Sequence, residues 1–153
     1  MSILIDTNVL LRRTQPDHEH HIAAVESVAR LLAENEPVCF TLQNIAEFWC
    51  VATRSIANNG LGFSPTATLA EVNKIERVLT MLPDSPLAYV EWKRLVLQHG
   101  ITGVRVHDGR LVALMNVHLV RRILAFDTDD FTAYGVEVIQ LALTAQAERG
   151  NDR

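Results

Sequence analysis

Met1-Ser-Ile-Leu-Ile-Asp-Thr-Asn8 decides the fold class. Ile3-Leu4-Ile5 is a short apolar run of the kind that forms a buried strand. Asp6-Thr7-Asn8 then places a carboxylate, a hydroxyl and an amide where that strand must end. In parallel α/β sheets, sites form in the crevice beyond the carboxyl ends of the strands, which makes Asp6 a candidate site residue. The same three residue types also cap helices, and on this stretch alone both readings stay open.

The rest of the chain alternates helix and strand patterns. Asp17 to about Glu34 carries Ile22, Val25, Val28, Ala29 and Leu32 on one stripe and predicts a helix. Val38-Cys39-Phe40-Thr41 predicts a short buried strand. Asn44 to about Ala57 predicts a second helix, stopped by Asn58-Asn59-Gly60. Ser64-Pro65 and Ser85-Pro86 each put an N-cap serine before a proline at the first helical position. They predict helices over Pro65–Val78 and Pro86–Gln98, the latter closed by Gly100. Met81-Leu82-Pro83 is a candidate third strand. A helix of about Gly109–Val120, a strand over Arg122–Phe126 and a strand over Gly135–Ile139 complete the pattern. Such alternation implies a mostly parallel sheet covered on both faces. Residues 1–140 are expected to form one domain, with the polar tail 141–153 frayed.

Composition narrows the class. The 153 residues suit a single domain, and 48% hydrophobic with 21% charged residues is ordinary for a globular protein. Apolar runs are broken well short of a membrane span, and no basic flank of a signal peptide precedes them, so no membrane association and a cytoplasmic location are expected. Cys39 and Cys50 sit in apolar settings and are expected to be buried free thiols. The net charge of −4, from 14 basic and 18 acidic side chains, shows no general basic surface for nucleic acid. Arg12, Arg13, Arg105, Arg110, Arg121 and Arg122 could still form a local patch.

Four acids fall at equivalent places in this layout. Asp6 ends strand one, Glu47 lies in the first turn of the helix after strand two, Asp108 opens a long helix, and Asp127 ends strand four. In a parallel sheet these places share one edge. Clustered carboxylates without basic partners repel and are costly to bury, and a divalent cation relieves that cost. Hard oxygen donors suit Mg²⁺ or Mn²⁺ rather than zinc. Structural roles compete at each position. Asn44 and Glu47 resemble a capping box, Asp108 favours a helix start through the macrodipole, and Asp127 to Asp130 could be a solubilising turn. His118 fits a satisfied semi-buried side chain, and His107 beside Asp108 could touch phosphate. His18, His20 and His21 have no matching set elsewhere for a zinc site. Trp49 and Trp92 fit core or dimer surfaces.

Ile-Asp6-Thr-Asn8-Val-Leu, Asn44-Ile-Ala-Glu47-Phe, Val-His-Asp108-Gly-Arg-Leu-Val-Ala-Leu and Ile-Leu-Ala-Phe-Asp127-Thr-Asp-Asp130-Phe, closing with Gly-Val-Glu-Val-Ile139, resemble the PIN domain in order and spacing. Within it, the chain is most similar to the VapC-type toxins. The resemblance covers Ser2 to Ile139. It implies a three-layer α/β/α sandwich around a central, mostly parallel sheet of four or five strands. It also implies Mg²⁺- or Mn²⁺-dependent cleavage of RNA, a homodimer and a cognate antitoxin. Asp6, Glu47 and Asp108 match the family's metal-holding acids. Asp127 is the expected fourth, with Asp130 its rival or an outer-shell member. Thr7, Asn8 and Thr128 are candidates for positioning substrate. Gly109 replaces a usual alanine, and Ala125 replaces a usual threonine or serine. Trp92, Leu95 and Ile101 are expected to contribute a dimer surface.

Two other classes are weighed against this. A haloacid-dehalogenase-like phosphatase needs a second aspartate two residues after the first, where this chain has Asn8. A PIN-fold interaction module without a toxin role would be expected to have lost carboxylates, and all four are present.

Overall fold

Ile3–Ile5 forms β1, and all three side chains are fully buried. Pleating sends Ile3 and Ile5 to one face of the sheet and Leu4 to the other. The structure is a computed structural model that describes residues 2–141. In chain order the further strands are β2 (Val38–Phe40), β3 (Thr80–Met81), β4 (Arg122–Ala125) and β5 (Glu137–Gln140). The helices are α1 (Thr7–Arg13), α2 (His21–Ala33), α3 (Leu42–Thr53), α4 (Pro65–Val78), α5 (Pro86–Gln98), α6 (Val106–Val117) and α7 (Asp129–Thr132).

The five strands lie in the order β3-β2-β1-β4-β5, and every pairing is parallel. Ile3 faces Val38 on one side and Arg122 on the other, which places β1 at the centre. Ile3, Ile5, Val38 and Phe40 pack with residues of α1 to α4, including Val9, Leu10, Val28, Phe48 and Val72. Leu4, Cys39, Ile123 and Ala125 pack with Leu95 of α5, Leu111 and Met115 of α6, and Phe131 of α7. Two apolar cores flanking one sheet make the three-layer α/β/α sandwich expected from the alternation.

Helix ends follow their caps. Ser64 and Ser85 accept from the backbone N–H groups of Ala67 and Leu87, with proline at the start of each helix, so α4 and α5 occupy the expected spans. Other boundaries move for identifiable reasons. α2 begins at His21, because backbone bonds from His18 to Gln15 and from His21 to His18 hold residues 15–21 in turns. α3 spans Leu42–Thr53, opened by a capping box between Thr41 and Asn44 rather than between Asn44 and Glu47. Glu47 therefore lies in the second turn. α6 starts three residues before Gly109, because a 3₁₀ turn at Gly103–Arg105 runs straight into it. β5 starts at Glu137, after Gly135 with φ of +74°. Asp129–Thr132, expected as part of an acidic turn, is helical.

Cys39 is buried as expected, and burial pushes its thiol up to about 12. Cys50 is exposed, because α3 turns that side away from the core. Leu141 is buried in the first core. The rest of the tail expected to fray, residues 142–153, lies outside the described residues. Among the described residues no helix is long and apolar enough to cross a membrane.

Candidate active site

β1 delivers Asp6 to the carboxyl-terminal edge of the sheet, where the Asp6 N–H donates to the Leu124 carbonyl at 2.9 Å. Asp6 occupies the N-cap position of α1 but makes no side-chain capping bond, so its carboxylate is available for other chemistry. Burial is the largest influence on it and raises its pKa to about 7. The Thr7 backbone N–H opposes that shift. The charges of Asp108, Glu47 and Asp130 add to it.

α3 delivers Glu47 through a buried polar network. Asn44 is fully buried, and its Oδ1 accepts from the Thr41 backbone N–H at 2.8 Å and the Thr41 hydroxyl at 2.9 Å. Its Nδ2 donates to Thr7 Oγ1 at 3.1 Å. The Thr7 hydroxyl in turn points to Glu47 Oε2 at 3.4 Å. Glu47 Oε1 accepts from Gln43 Nε2 at 2.8 Å, and the same nitrogen donates to the His107 carbonyl at 2.8 Å. Gln43 thus ties the carboxylate of α3 to the first turn of α6.

Asp108 stands in that first turn, partly buried. Burial, then Asp130 and Glu47, raise its pKa to about 6 against the opposing charges of Arg105 and His107. Asp130, in α7, is partly buried and also raised, first by burial and then by Asp127. Asp127 is exposed, and its Oδ1 accepts from the Asp129 N–H at 2.9 Å in a local turn. The acids whose charges meet are therefore Asp6, Glu47, Asp108 and Asp130, with Asp127 acting on Asp130.

Among the described residues none of these five acids forms a salt bridge. Among the described residues, too, no three aspartate, glutamate, histidine or cysteine side chains converge as placed on one coordination point. Asp6, Asp108 and Asp130, raised in pKa, stand with Glu47 as hard oxygen donors without a salt-bridge partner among the described residues, and such a donor set suits a divalent ion by its chemistry.

The other candidates fall in different surroundings. Thr7 is buried within the network, Asn8 is exposed, and Thr128 precedes α7 without a side-chain cap bond. His107 and Arg110 are exposed and line a groove of about 530 Å³ with Gln43, Glu47 and Cys50. The same two side chains border a second groove of about 660 Å³ lined by Tyr89, Trp92 and Val106. His118 is a satisfied structural side chain, with Nε2 2.8 Å from the Pro83 carbonyl. His20 stacks on Phe126 at 5.0 Å, and His21 Nδ1 lies 2.8 Å from the Arg12 carbonyl. Trp92 donates through Nε1 to the Val106 carbonyl at 2.9 Å. Gln43 and Tyr134 also belong to the site region, and no local pattern in the sequence marks either.

Gly109, adjacent to Asp108, is buried where a Cβ would stand 3.1 Å from the Tyr134 hydroxyl. An alanine Cβ at this place would press on that oxygen, which would have to give by a few tenths of an ångström.

The family model described as PIN domain matches residues 3–137, nearly the whole described chain. The chain belongs to the PIN domain family. A search of the curated proteins gives no match. Several solved structures share the fold at low identity. VapC20 of Mycobacterium tuberculosis, titled a Sarcin-Ricin loop cleaving toxin, is 20% identical with a TM-score of 0.66, over 90% of this chain and 98% of that one. VapBC2 from Rickettsia felis, bound to a DNA fragment from its promoter, is 12% identical with a TM-score of 0.70, over 93% and 100%. DNA-bound VapBC from Salmonella typhimurium is 16% identical with a TM-score of 0.63, over 92% and 98%.

Proposed function

We propose that the chain is a Mg²⁺- or Mn²⁺-dependent endoribonuclease and the toxin of a toxin–antitoxin pair. The observation that carries this reading is the gathering of Asp6, Glu47, Asp108 and Asp130 at the carboxyl edge of the sheet without a salt-bridge partner among the described residues, where burial first and neighbouring acids second raise Asp6 and Asp108. Asp6, Glu47 and Asp108 hold the ion, with Asp130 as the fourth carboxylate and Asp127 behind it. The bound ion supplies an activated water and neutralises charge developing on the phosphodiester. Thr7 and Gln43 hold Glu47 in place. Arg110, on the rim shared by the two grooves, offers positive charge to a phosphate beside the cleft, and His107 next to it offers a ring nitrogen for a hydrogen bond. Arg105 lies within electrostatic reach of Asp108 and Asp130 and can serve the same end.

The toxin assignment draws on fold neighbours that include a toxin-antitoxin complex from Klebsiella pneumoniae, and the substrate on a neighbour described as a Sarcin-Ricin loop cleaving toxin. A soluble, cytoplasmic homodimer completes the reading. It is supported by apolar side chains of α5 that the monomer leaves exposed. The test is cleavage of a structured RNA by purified protein with Mg²⁺, with Mn²⁺ and with EDTA. Cleavage restored by either ion and lost in Asp6→Asn is expected. Cleavage in EDTA, or undiminished cleavage by Asp6→Asn, overturns the proposal.

A further inference from the structure

Tyr134 lies just beyond α7, and its ring meets the edge of His99 at a centroid distance of 5.0 Å. Its hydroxyl is withdrawn from solvent and has no hydrogen-bond partner. A buried donor left without a partner is costly, so an orphan of this kind calls for an explanation. The position of the oxygen suggests one. A Cβ on Gly109 would stand 3.1 Å from it, tighter than ordinary contact, and 3.4 Å from Val96 Cγ1. Glycine inside a helix is less stable than alanine, and here the absent Cβ leaves space for a hydroxyl. Burial is the main influence that raises the pKa of the phenol; the charge of Asp108, the residue before Gly109, adds to it and that of Arg105 opposes it.

We propose that Tyr134 is a positioning residue, whose hydroxyl donates to the Asp108 carboxylate when the acids of the cleft close on a divalent cation. This rests on the metal-site reading above. Carboxylates that hold metal ions are themselves held by outer hydrogen bonds, and Glu47 already has such partners in Gln43 and Thr7. Asp108 has no hydrogen-bond donor of that kind in the described structure. The orphan hydroxyl lies beside the residue next to Asp108, 3.1 Å from where a Gly109 Cβ would stand, and the absent Cβ leaves the hydroxyl free to turn toward that carboxylate.

The experiment is a titration of Mn²⁺ into wild type, Tyr134→Phe, Gly109→Ala and the double variant, followed by the free-ion electron paramagnetic resonance signal. Melting of the ion-free proteins and RNA cleavage are measured alongside. Phe keeps the ring, so the ion-free Tyr134→Phe variant should melt at or above the wild-type temperature. Its Mn²⁺ affinity should fall about tenfold or more, the usual cost of losing an outer-shell partner. Gly109→Ala, which displaces the hydroxyl without removing it, should weaken Mn²⁺ in the same sense. The double variant should bind no worse than Tyr134→Phe, because both changes remove one interaction. Wild-type Mn²⁺ affinity in Tyr134→Phe overturns the proposal, even where wild-type protein cleaves RNA. Weakened Mn²⁺ binding in a protein that never cleaves RNA supports it and overturns the ribonuclease reading instead.

Discussion

Asn44 donates from Nδ2 to Thr7 Oγ1 at 3.1 Å, which joins the first turn of α3 to the first turn of α1 through two buried side chains. The same amide closes the capping box with Thr41. Asn44→Ala removes a cap worth about 1 kcal/mol and strands the Thr41 and Thr7 groups it served, for a total near 3 kcal/mol. Urea denaturation should show the midpoint falling with an unchanged slope. A loss below about 1 kcal/mol would mean that water replaces the amide, and that the network does not fix the two helices.

Gln43 offers a milder test of how Glu47 is held. Its side chain is half-buried and bridges Glu47 to the His107 carbonyl. Gln43→Ala should leave stability within about 0.5 kcal/mol, as for most surface changes. Activity should fall about tenfold, because an outer partner of a ligating carboxylate is lost. Full activity in this variant would show that Thr7 alone orients Glu47.

Legibility from the sequence divides along physical lines. Helices opened by Ser64-Pro65 and Ser85-Pro86 were readable to the residue, because capping serine and proline act locally. The buried strands are readable because Ile3-Leu4-Ile5 and Ile123–Phe126 are short apolar runs bounded by polar residues, although the strand expected over Arg122–Phe126 ends one residue earlier, at Ala125. The start of α6 is not readable, because Arg105 already has helical backbone angles and no capping side chain marks the boundary. Asn44 was assigned to the wrong box because its partner, Thr41, ends a strand pattern. Gln43 and Tyr134 act across 64 residues or through an absent Cβ, and no local pattern encodes such contacts.

Asp6 should make ion-free stability depend on pH. Its pKa stands at about 7 in the fold against 3.8 for the free carboxyl, so the folded state holds a proton that the unfolded state releases between those values. Stability in EDTA therefore falls as pH rises from about 4 to about 7. At about 1.4 kcal/mol per unit the ceiling is about 4 kcal/mol, and water access leaves about 2 kcal/mol. Asp6→Asn removes the burial of charge. Thermal melts in EDTA should place the variant above wild type at pH 8 and level with it below pH 4. Equal melting at pH 8 would show that Asp6 is effectively solvated.

Asp130 and Asp127 can be separated by substitution. Asp130 bears electrostatically on both Asp6 and Asp108, whereas Asp127 bears on Asp130 and is exposed. Asp130→Asn should lower the cleavage rate about a hundredfold, comparable to removing one electrostatic contributor from an active site. Asp127→Asn should lower it less than about tenfold, as an outer-shell group does. The reverse order, read from single-turnover RNA cleavage at fixed Mg²⁺, would return the fourth position to Asp127.

The assembly prediction rests on a different face from the one the sequence suggested. Leu95 is 2% exposed and Trp92 is bonded to the Val106 carbonyl, so both belong to the monomer. Ile101 is partly buried as well. What the monomer leaves open is the stripe Leu87, Val90 and Leu97, exposed at 67%, 61% and 85%, on one side of α5. Leu87 and Val90 also line a shallow groove against Val117 of α6. Isolated exposed leucines need no explanation, but these three share one side of α5, with Arg94 between Val90 and Leu97, and are the expected dimer contact. Light scattering at tens of micromolar should give twice the 17.1 kDa chain mass for wild type. Leu97→Glu places a charge in the stripe and should return the single-chain mass, while its melting temperature stays within about 2 °C because the side chain is exposed in the monomer. A wild-type mass of one chain would overturn the homodimer.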